Sequence, residues 1–481
     1  MAVPVFDKVL IGGEWVPAEE GSYQITNPAT DAPAGYAPSC SVAQVQAAAA
    51  AARRAFPAWA ALSGAERAVK LRKAAEAFRQ AMGALVELTM DETGAVKTVA
   101  EPQQVGTVAL RLARFAEMAA QPPDEPLPLR ELGGVIHNGM AVREPIGVVA
   151  CITPSNFPMT NCAGKIGPAL ACGNTVVVKP APVDPLGVAE LCRLVAAELP
   201  PGVVNFINGP GPELGEALVA SPEVDMISFT GSTAVGLRIQ ELAAKRLKRT
   251  LLDLGGKSAQ IVFADADRAA ALKGAMQVWT FHSGQICVAG TRLLVEASIY
   301  DEFTQQMVAA AARLKIGEPR EPGVVVGPLV SAAQRDRVEA YVKKGLAEGA
   351  TLACGGKRPA NLAHGAFFEP TLFTKVRNDM TIAREEIFGP VVTAIPFRDE
   401  AEAIAIANDS EFGLYGYVWS RDTAKAIRVA RGLRTGTVQI NGSIHNQDAP
   451  FGGYKLSGIG RDGGRYAMNA YSELKYIGWT A

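Results

Sequence analysis

Histidine is scarce in this chain: four residues, His137, His282, His364 and His445, among 481. That leaves little material for a histidine-based triad or a metal cluster, and no metal site is expected. The seven cysteines (Cys40, Cys151, Cys162, Cys172, Cys192, Cys287 and Cys354) contain no Cys-x-x-Cys pair. This argues against a zinc site and a disulfide framework; it suits a reducing compartment, and a cytoplasmic location is expected. No apolar stretch approaches the roughly 20 residues that span a bilayer; the longest, Ile146 to Thr153, is strand-sized. Met1 to Trp15 includes Lys8 and lacks the apolar run of a signal peptide. A formal net charge of −1 gives no electrostatic basis for binding nucleic acid or an anionic membrane.

What is present is the alternation of short apolar runs with helical patterns. A chain of 481 residues is too long for one core, so two or three domains are expected. Val9 to Trp15 reads as a hairpin and Asn27-Pro28-Ala29-Thr30 as a turn. Leu71, Ala75, Phe78, Met82 and Leu85 recur at helical spacing, with Arg72, Lys73, Glu76 and Arg79 facing elsewhere. From Ile146, β-branched runs at 147–152, 175–179, 203–207, 226–229 and 251–254 alternate with helical stretches. Apolar strands alternating with helices imply a parallel sheet covered on both faces, wound by right-handed crossovers, with ligands at the carboxyl ends of its strands. A second α/β pattern runs to about residue 440, with strands at 259–263, 292–295, 391–396, 415–419 and 437–440. Pro122-Pro123 precedes a polar–apolar alternation, Leu127 to Glu144, that reads as a ribbon, as does Tyr471 to Ile477. Exposed ribbons usually pair, and a partner subunit is the simplest candidate.

The run Gly284-Gln285-Ile286-Cys287-Val288-Ala289-Gly290-Thr291 carries the chemistry. A thiol there can be a nucleophile toward a carbonyl carbon; the plainer reading is a small buried hydrophobe. Five further segments decide between them: Thr153-Pro154-Ser155-Asn156-Phe157-Pro158, Lys179-Pro180-Ala181-Pro182, Phe229-Thr230-Gly231-Ser232 with Gly236, Leu252-Asp253-Leu254-Gly255-Gly256-Lys257, and Glu385-Glu386-Ile387-Phe388-Gly389-Pro390. The first four follow strand ends of the first sheet. Gly209-Pro210-Gly211 with Gly215 mimics a dinucleotide fingerprint, but its last glycine falls one residue late.

In this order and spacing, the set resembles the aldehyde dehydrogenase superfamily. The resemblance runs from Asn27-Pro28-Ala29-Thr30 to Pro450-Phe451-Gly452-Gly453-Tyr454-Lys455-Leu456-Ser457-Gly458, nearly the whole chain. It implies two doubly wound α/β domains and a small β ribbon for oligomerisation. The boundaries implied are 1–122 with 145–255 for the Rossmann-like dinucleotide domain, 256–440 for the catalytic domain, and 123–144 with 462–481 for the ribbon and tail. It implies a homodimer or homotetramer that oxidises an aldehyde with NAD, NADP being possible. Cys287 then matches the nucleophile, Asn156 and the Cys287 backbone N–H the oxyanion donors, and Asp253 the position of the general base. Along the cofactor the resemblance aligns Ile152, Ser155 and Asn156. Lys179 and Pro182 fall at the adenosine ribose, Gly231 and Ser232 at the pyrophosphate, Leu254 and Phe388 beside the nicotinamide, and Glu386 at its ribose. Phe157, Thr160, Asn161, Gly164, Ile286, Val288 and Phe451 are expected to line the substrate tunnel. CoA-dependent acylation and a non-catalytic cofactor-binding relative are the alternatives.

Three positions depart from the family pattern. Asp253 stands where Glu is usual, one methylene or about 1.5 Å shorter; a displacement of ~1 Å can cost on the order of a hundredfold. Pro182 stands where NAD-selective members often carry Glu. Gly164 stands where some members carry a bulky aromatic, so the tunnel is expected to be roomy. No arginine occurs in the 156–168 stretch, so an uncharged aliphatic or aromatic aldehyde is expected rather than a carboxylate-bearing one. His282 is expected to be structural rather than paired with Cys287.

Overall fold

The computed structural model describes residues 3–121, 124–442 and 446–480. The separating Pro122-Pro123 and His445 lie outside the described residues.

Five parallel strands form the centre of the first sheet, in the order Val204–Phe206, Thr175–Lys179, Val148–Ile152, Met226–Thr230, Arg249–Asp253. They are rich in valine and isoleucine and almost wholly buried, as sheets covered on both faces require. Helices Pro158–Ala171, Leu186–Ala196, Pro212–Ala220 and Thr233–Ala244 follow successive strands. The chain adds strands to one side of Val148–Ile152 and then to the other, so a crevice opens beyond its carboxyl end. Register places Ile152 beside Lys179, Ile152 beside Phe229, and Thr230 beside Asp253. The motifs expected to hold the cofactor therefore share one edge.

Both margins of this sheet are antiparallel. The hairpin Lys8–Ile11 and Glu14–Pro17 covers one. On the other, Gly458–Ile459 pairs with Leu252 and Asp253, a two-residue strand too short for any periodicity to reveal.

The second sheet has seven strands, in the order Thr351–Cys354, Thr371–Thr374, Val391–Phe397, Arg292–Glu296, Ala259–Val262, Tyr415–Trp419, Thr437–Ile440. All neighbours are parallel except the first pair. Sequence reading misses Thr371–Thr374, four residues between Pro370 and Lys375 with no alternation to mark them.

The ribbon pairs Ser472–Thr480 antiparallel with Val135–Pro145, Ser472 opposite Pro145 and Thr480 opposite His137. Its strand starts one residue after Tyr471, where the ribbon is read in the sequence. Before it, helix Gly464–Ala470 leads into Tyr471, which is fully buried and donates to Ser228 Oγ at 2.6 Å. Ala467 and Tyr471, four residues apart, form one apolar stripe that the first domain's core takes up.

The long helix Gly64–Thr93 buries Leu71, Ala75, Phe78 and Leu85, as its periodicity predicts. A π-helical turn, Ala100–Val105, then leads into helix Gly106–Ala119. The turn brings the Gln103 and Gln104 carbonyls, and the second helix brings Arg111, to Thr160 on helix Pro158–Ala171.

Candidate active site

The nucleophile loop is built on a left-handed turn. His282, Ser283 and Gly284 have φ of 51°, 53° and 76°. Three neighbours hold it there. Ser283 Oγ donates to Gly327 O at 2.8 Å, Gln285 Nε2 donates to His282 O at 3.1 Å, and Gln285 Oε1 accepts from Val330 N–H at 2.8 Å. A Cβ on Gly284 would lie 2.2 Å from Gly389 O, so glycine is needed for its φ and for the close approach of the 389 backbone. Gly284→Ala is therefore expected to destabilise the fold by at least ~1–2 kcal/mol and to displace Cys287. Denaturant midpoints and the rate of Cys287 alkylation check both effects; a variant matching the parent in each would show that the turn tolerates a side chain.

Cys287 follows on the 286–289 turn, half-buried. Its thiol is pushed well above the ordinary range by burial and by the nearby Asp253 and Glu386, while its own backbone N–H and that of Val288 oppose the shift. Asn156 is tied to the same loop: its Nδ2 donates to Gln285 O at 2.8 Å. An amide nitrogen carries two N–H bonds, so one remains for a ligand. The other side of Asn156 is fixed by Phe157 N–H donating to Oδ1 at 3.0 Å and by Gln104 Nε2 donating to its carbonyl at 3.0 Å.

Asp253 ends its strand, held between Thr230 and Gly458. Burial pushes its carboxyl up to about 7 against the opposing Lys165 ammonium and Thr230 hydroxyl, with Asp462 and Glu386 adding to the rise. Oδ1 has no hydrogen-bond partner among the described residues. Glu386 accepts from Gly256 N–H at 3.0 Å, and burial brings it too to about 7. Two carboxyl groups poised near neutrality thus face one sulfur. Burial drops His282 to about 4; it packs edge-on to Phe157, centroids 5.4 Å apart, and takes no part in a Cys–His pair.

At the carboxyl edge of the first sheet, Ile152 and Ser155 are half-buried beside Asn156. Lys179 is buried, which lowers its ammonium, and its Nζ reaches only Pro180 O at 3.4 Å. Pro182 accepts from the Tyr23 hydroxyl. Ser232 caps helix Thr233–Ala244, Gly231 precedes it, and Leu254 fills the space a side chain on Gly236 would take. Phe388 adopts φ 60° two residues after Glu386. The helix N-terminus with its free N–H groups, the nearly unengaged Lys179, and the buried Thr153 Oγ1, unpartnered among the described residues, suit an anionic dinucleotide.

Ile286, Val288 and Phe157 share one apolar cluster, and Val288, Cys287 and Phe451 pack on Leu414, Tyr415 and Tyr417. Three residues expected to line the tunnel share helix Pro158–Ala171. The Thr160 hydroxyl donates to Gln104 O at 2.7 Å, and Asn161 Nδ2 donates back to Phe157 O at 3.0 Å. Gly164 is not the roomy gap expected. A Cβ there would meet Arg111 Nη1 at 2.6 Å, because an arginine 53 positions earlier occupies the space. The 156–168 stretch holds no arginine, but the fold brings one to it, and the ground for expecting an uncharged substrate goes with that.

Comparisons with known proteins give the family. The sequence pattern of the aldehyde dehydrogenase family matches residues 15–477. A betaine aldehyde dehydrogenase of Bacillus subtilis is 41% identical, covering 98% of this chain and 96% of its own. A succinate-semialdehyde dehydrogenase (NADP+) of Escherichia coli is 39% identical, covering 98% and 97%. The crystal structure of a betaine aldehyde dehydrogenase from Staphylococcus aureus in complex with NAD+ superimposes with a TM-score of 0.95 at 37% identity, covering 98% and 95%. With the family pattern matched over residues 15–477 and a relative 41% identical over 98% of this chain, the chain belongs to the aldehyde dehydrogenase family.

Proposed function

We propose that Cys287 carries the NAD(P)-dependent oxidation of an aldehyde to its carboxylic acid. The observation that supports this best is that Asp253 and Glu386 act on the Cys287 thiol while Asn156, from a third segment, is tied to the same loop.

The reaction follows from those groups. A carboxylate poised near 7 accepts the thiol proton, and the sulfur adds to the aldehyde carbon. The carbonyl electron pair moves onto oxygen. The second Asn156 N–H and the Cys287 backbone N–H stabilise that oxyanion. When bound, the nicotinamide ring supplies two-electron, hydride-accepting chemistry. Cys287 is left acylated as a thioester. Asp253 then takes a proton from water, the water oxygen adds to the acyl carbon, and the C–S bond breaks to release the acid and the thiolate. Reduced-cofactor formation from a panel of aldehydes with both dinucleotides tests the reading; no reduction with any aldehyde would refute it.

We infer a preference for NAD. Pro182 offers no carboxylate, but Glu213, near the start of helix Pro212–Ala220, lies close enough to Lys179 to favour its charge. An anion there repels a 2′-phosphate. Glu213→Gln is expected to raise the NADP/NAD ratio of kcat/KM about two- to fivefold; an unchanged ratio would remove Glu213 from cofactor choice.

We also infer a homodimer or homotetramer built on the ribbon. Strand Ser472–Thr480 exposes Leu474, Tyr476, Ile477 and Trp479, more apolar surface than an unpaired ribbon usually presents. No described helix is long and apolar enough to cross a membrane, and all seven cysteines are free, which supports a reducing compartment such as the cytoplasm.

A further inference from the structure

The cationic side chain at Gly164 sits where the substrate tunnel is expected and has no part in aldehyde oxidation itself. Arg111 extends from helix Gly106–Ala119 across the missing side chain of residue 164, on the helix that begins next to Asn156 and Phe157. Its one hydrogen bond among the described residues is from Nη1 to Thr160 O, at 2.9 Å. A guanidinium has five N–H donors, so most of this fork is unspent. No carboxylate forms an ion pair with it among the described residues; Asp253 and Asp462 act only at longer range. The side chain is half-buried. Burial opposes a charge, and an arginine cannot shed its own. A half-buried guanidinium at the expected tunnel, with no carboxylate bonded to it among the described residues, keeps N–H donors for a further anion. A planar carboxylate matches its geometry in bidentate fashion, which a lysine would not.

We propose that Arg111 is a specificity-determining residue that binds a carboxylate at the far end of the substrate, so that the preferred substrates are aldehydes carrying an ω-carboxylate. This rests on the oxidation reading above and adds a substrate class to it. Gly164 is part of the device: a side chain there would collide with the guanidinium.

Succinic semialdehyde and butanal share a four-carbon chain and differ in the terminal carboxylate. With the full chain and NAD, the parent is expected to favour succinic semialdehyde in kcat/KM by at least about tenfold. Arg111→Met is expected to lower the ratio of the two efficiencies about ten- to a hundredfold, through KM for the semialdehyde. Arg111→Lys, which keeps the charge and loses the fork, falls between. An unchanged ratio in Arg111→Met, whether both efficiencies hold or both drop together, would overturn the assignment and leave Arg111 as a counter-charge for Asp253 and Asp462. Should that variant not fold, a parent that favours butanal overturns it equally. Failure of the oxidation reading looks different: no reduced cofactor from either aldehyde, which would take the carboxylate site with it.

Discussion

Asp253→Asn is expected to reduce about one equivalent of cofactor per site and then stall, with steady-state turnover down about a hundred- to ten-thousandfold. Glu386 still stands beside the sulfur and can accept the thiol proton, so the first half of the reaction survives. The thioester then waits for water with no base assigned to it. A carboxyl at about 7 also gives the parent a pH dependence of definite sign: turnover rises with pH through about 7 as Asp253 loses its proton. The variant loses that limb, whereas Glu386→Gln keeps it. Rapid-mixing absorbance of the reduced cofactor separates burst from steady state. Parent-like turnover in Asp253→Asn would show that Asp253 is not the base.

The same substitution is expected to stabilise the protein. A carboxyl whose folded value lies above its unfolded one costs nothing while it is protonated in both states. Its penalty grows as pH rises from about 4 and is complete once pH passes about 7. Asparagine removes a penalty on the order of 4 kcal/mol at pH 8, and less toward pH 4. Denaturant midpoints at the two pH values measure it. Loss of turnover with gain of stability would mark a buried charge held there for chemistry rather than for folding.

Replacing Cys287 by alanine is expected to cut aldehyde-driven cofactor reduction by on the order of 10^5-fold or more, because no covalent intermediate can form. Dinucleotide binding, measured as a Kd by fluorescence titration, should remain within a few-fold of the parent, since the residues proposed to hold the cofactor lie on the first sheet and on the 385–390 segment. None of the other six cysteines can substitute. All six lie outside the 284–291 loop to which Asn156 is tied. Turnover that continued undiminished in the alanine variant would end the covalent account.

Much of the site is legible in the residues alone, because the needs it expresses are local. A strand must end before a cofactor can lie across its tip, so Asn156, Lys179, Gly231 and Asp253 each lie at or just past the end of a five-residue strand. A left-handed turn closed against another backbone admits only glycine, so Gly284 marks the nucleophile loop before any coordinates exist. The reading fails where a residue's meaning depends on who packs against it. Gln285 reads as one more polar residue, yet it is wholly buried and clamps the loop to Val330. Lys165 and Asp462, 297 positions apart, act on the same Asp253, and nothing in either segment announces it.

The sequence by itself determined the alternation of strands and helices, the two-domain layout, the identity of the nucleophile and the family. These follow from periodicity and from short-range steric demands, which are written in neighbouring residues. Only the tertiary structure decided that Asp253 and Glu386 titrate near neutrality, that the tail from Gly464 to Tyr471 joins the first domain's core, and that Arg111 fills the gap at Gly164. Desolvation and occupied volume are sums over atoms from many distant segments, and no local pattern encodes such a sum.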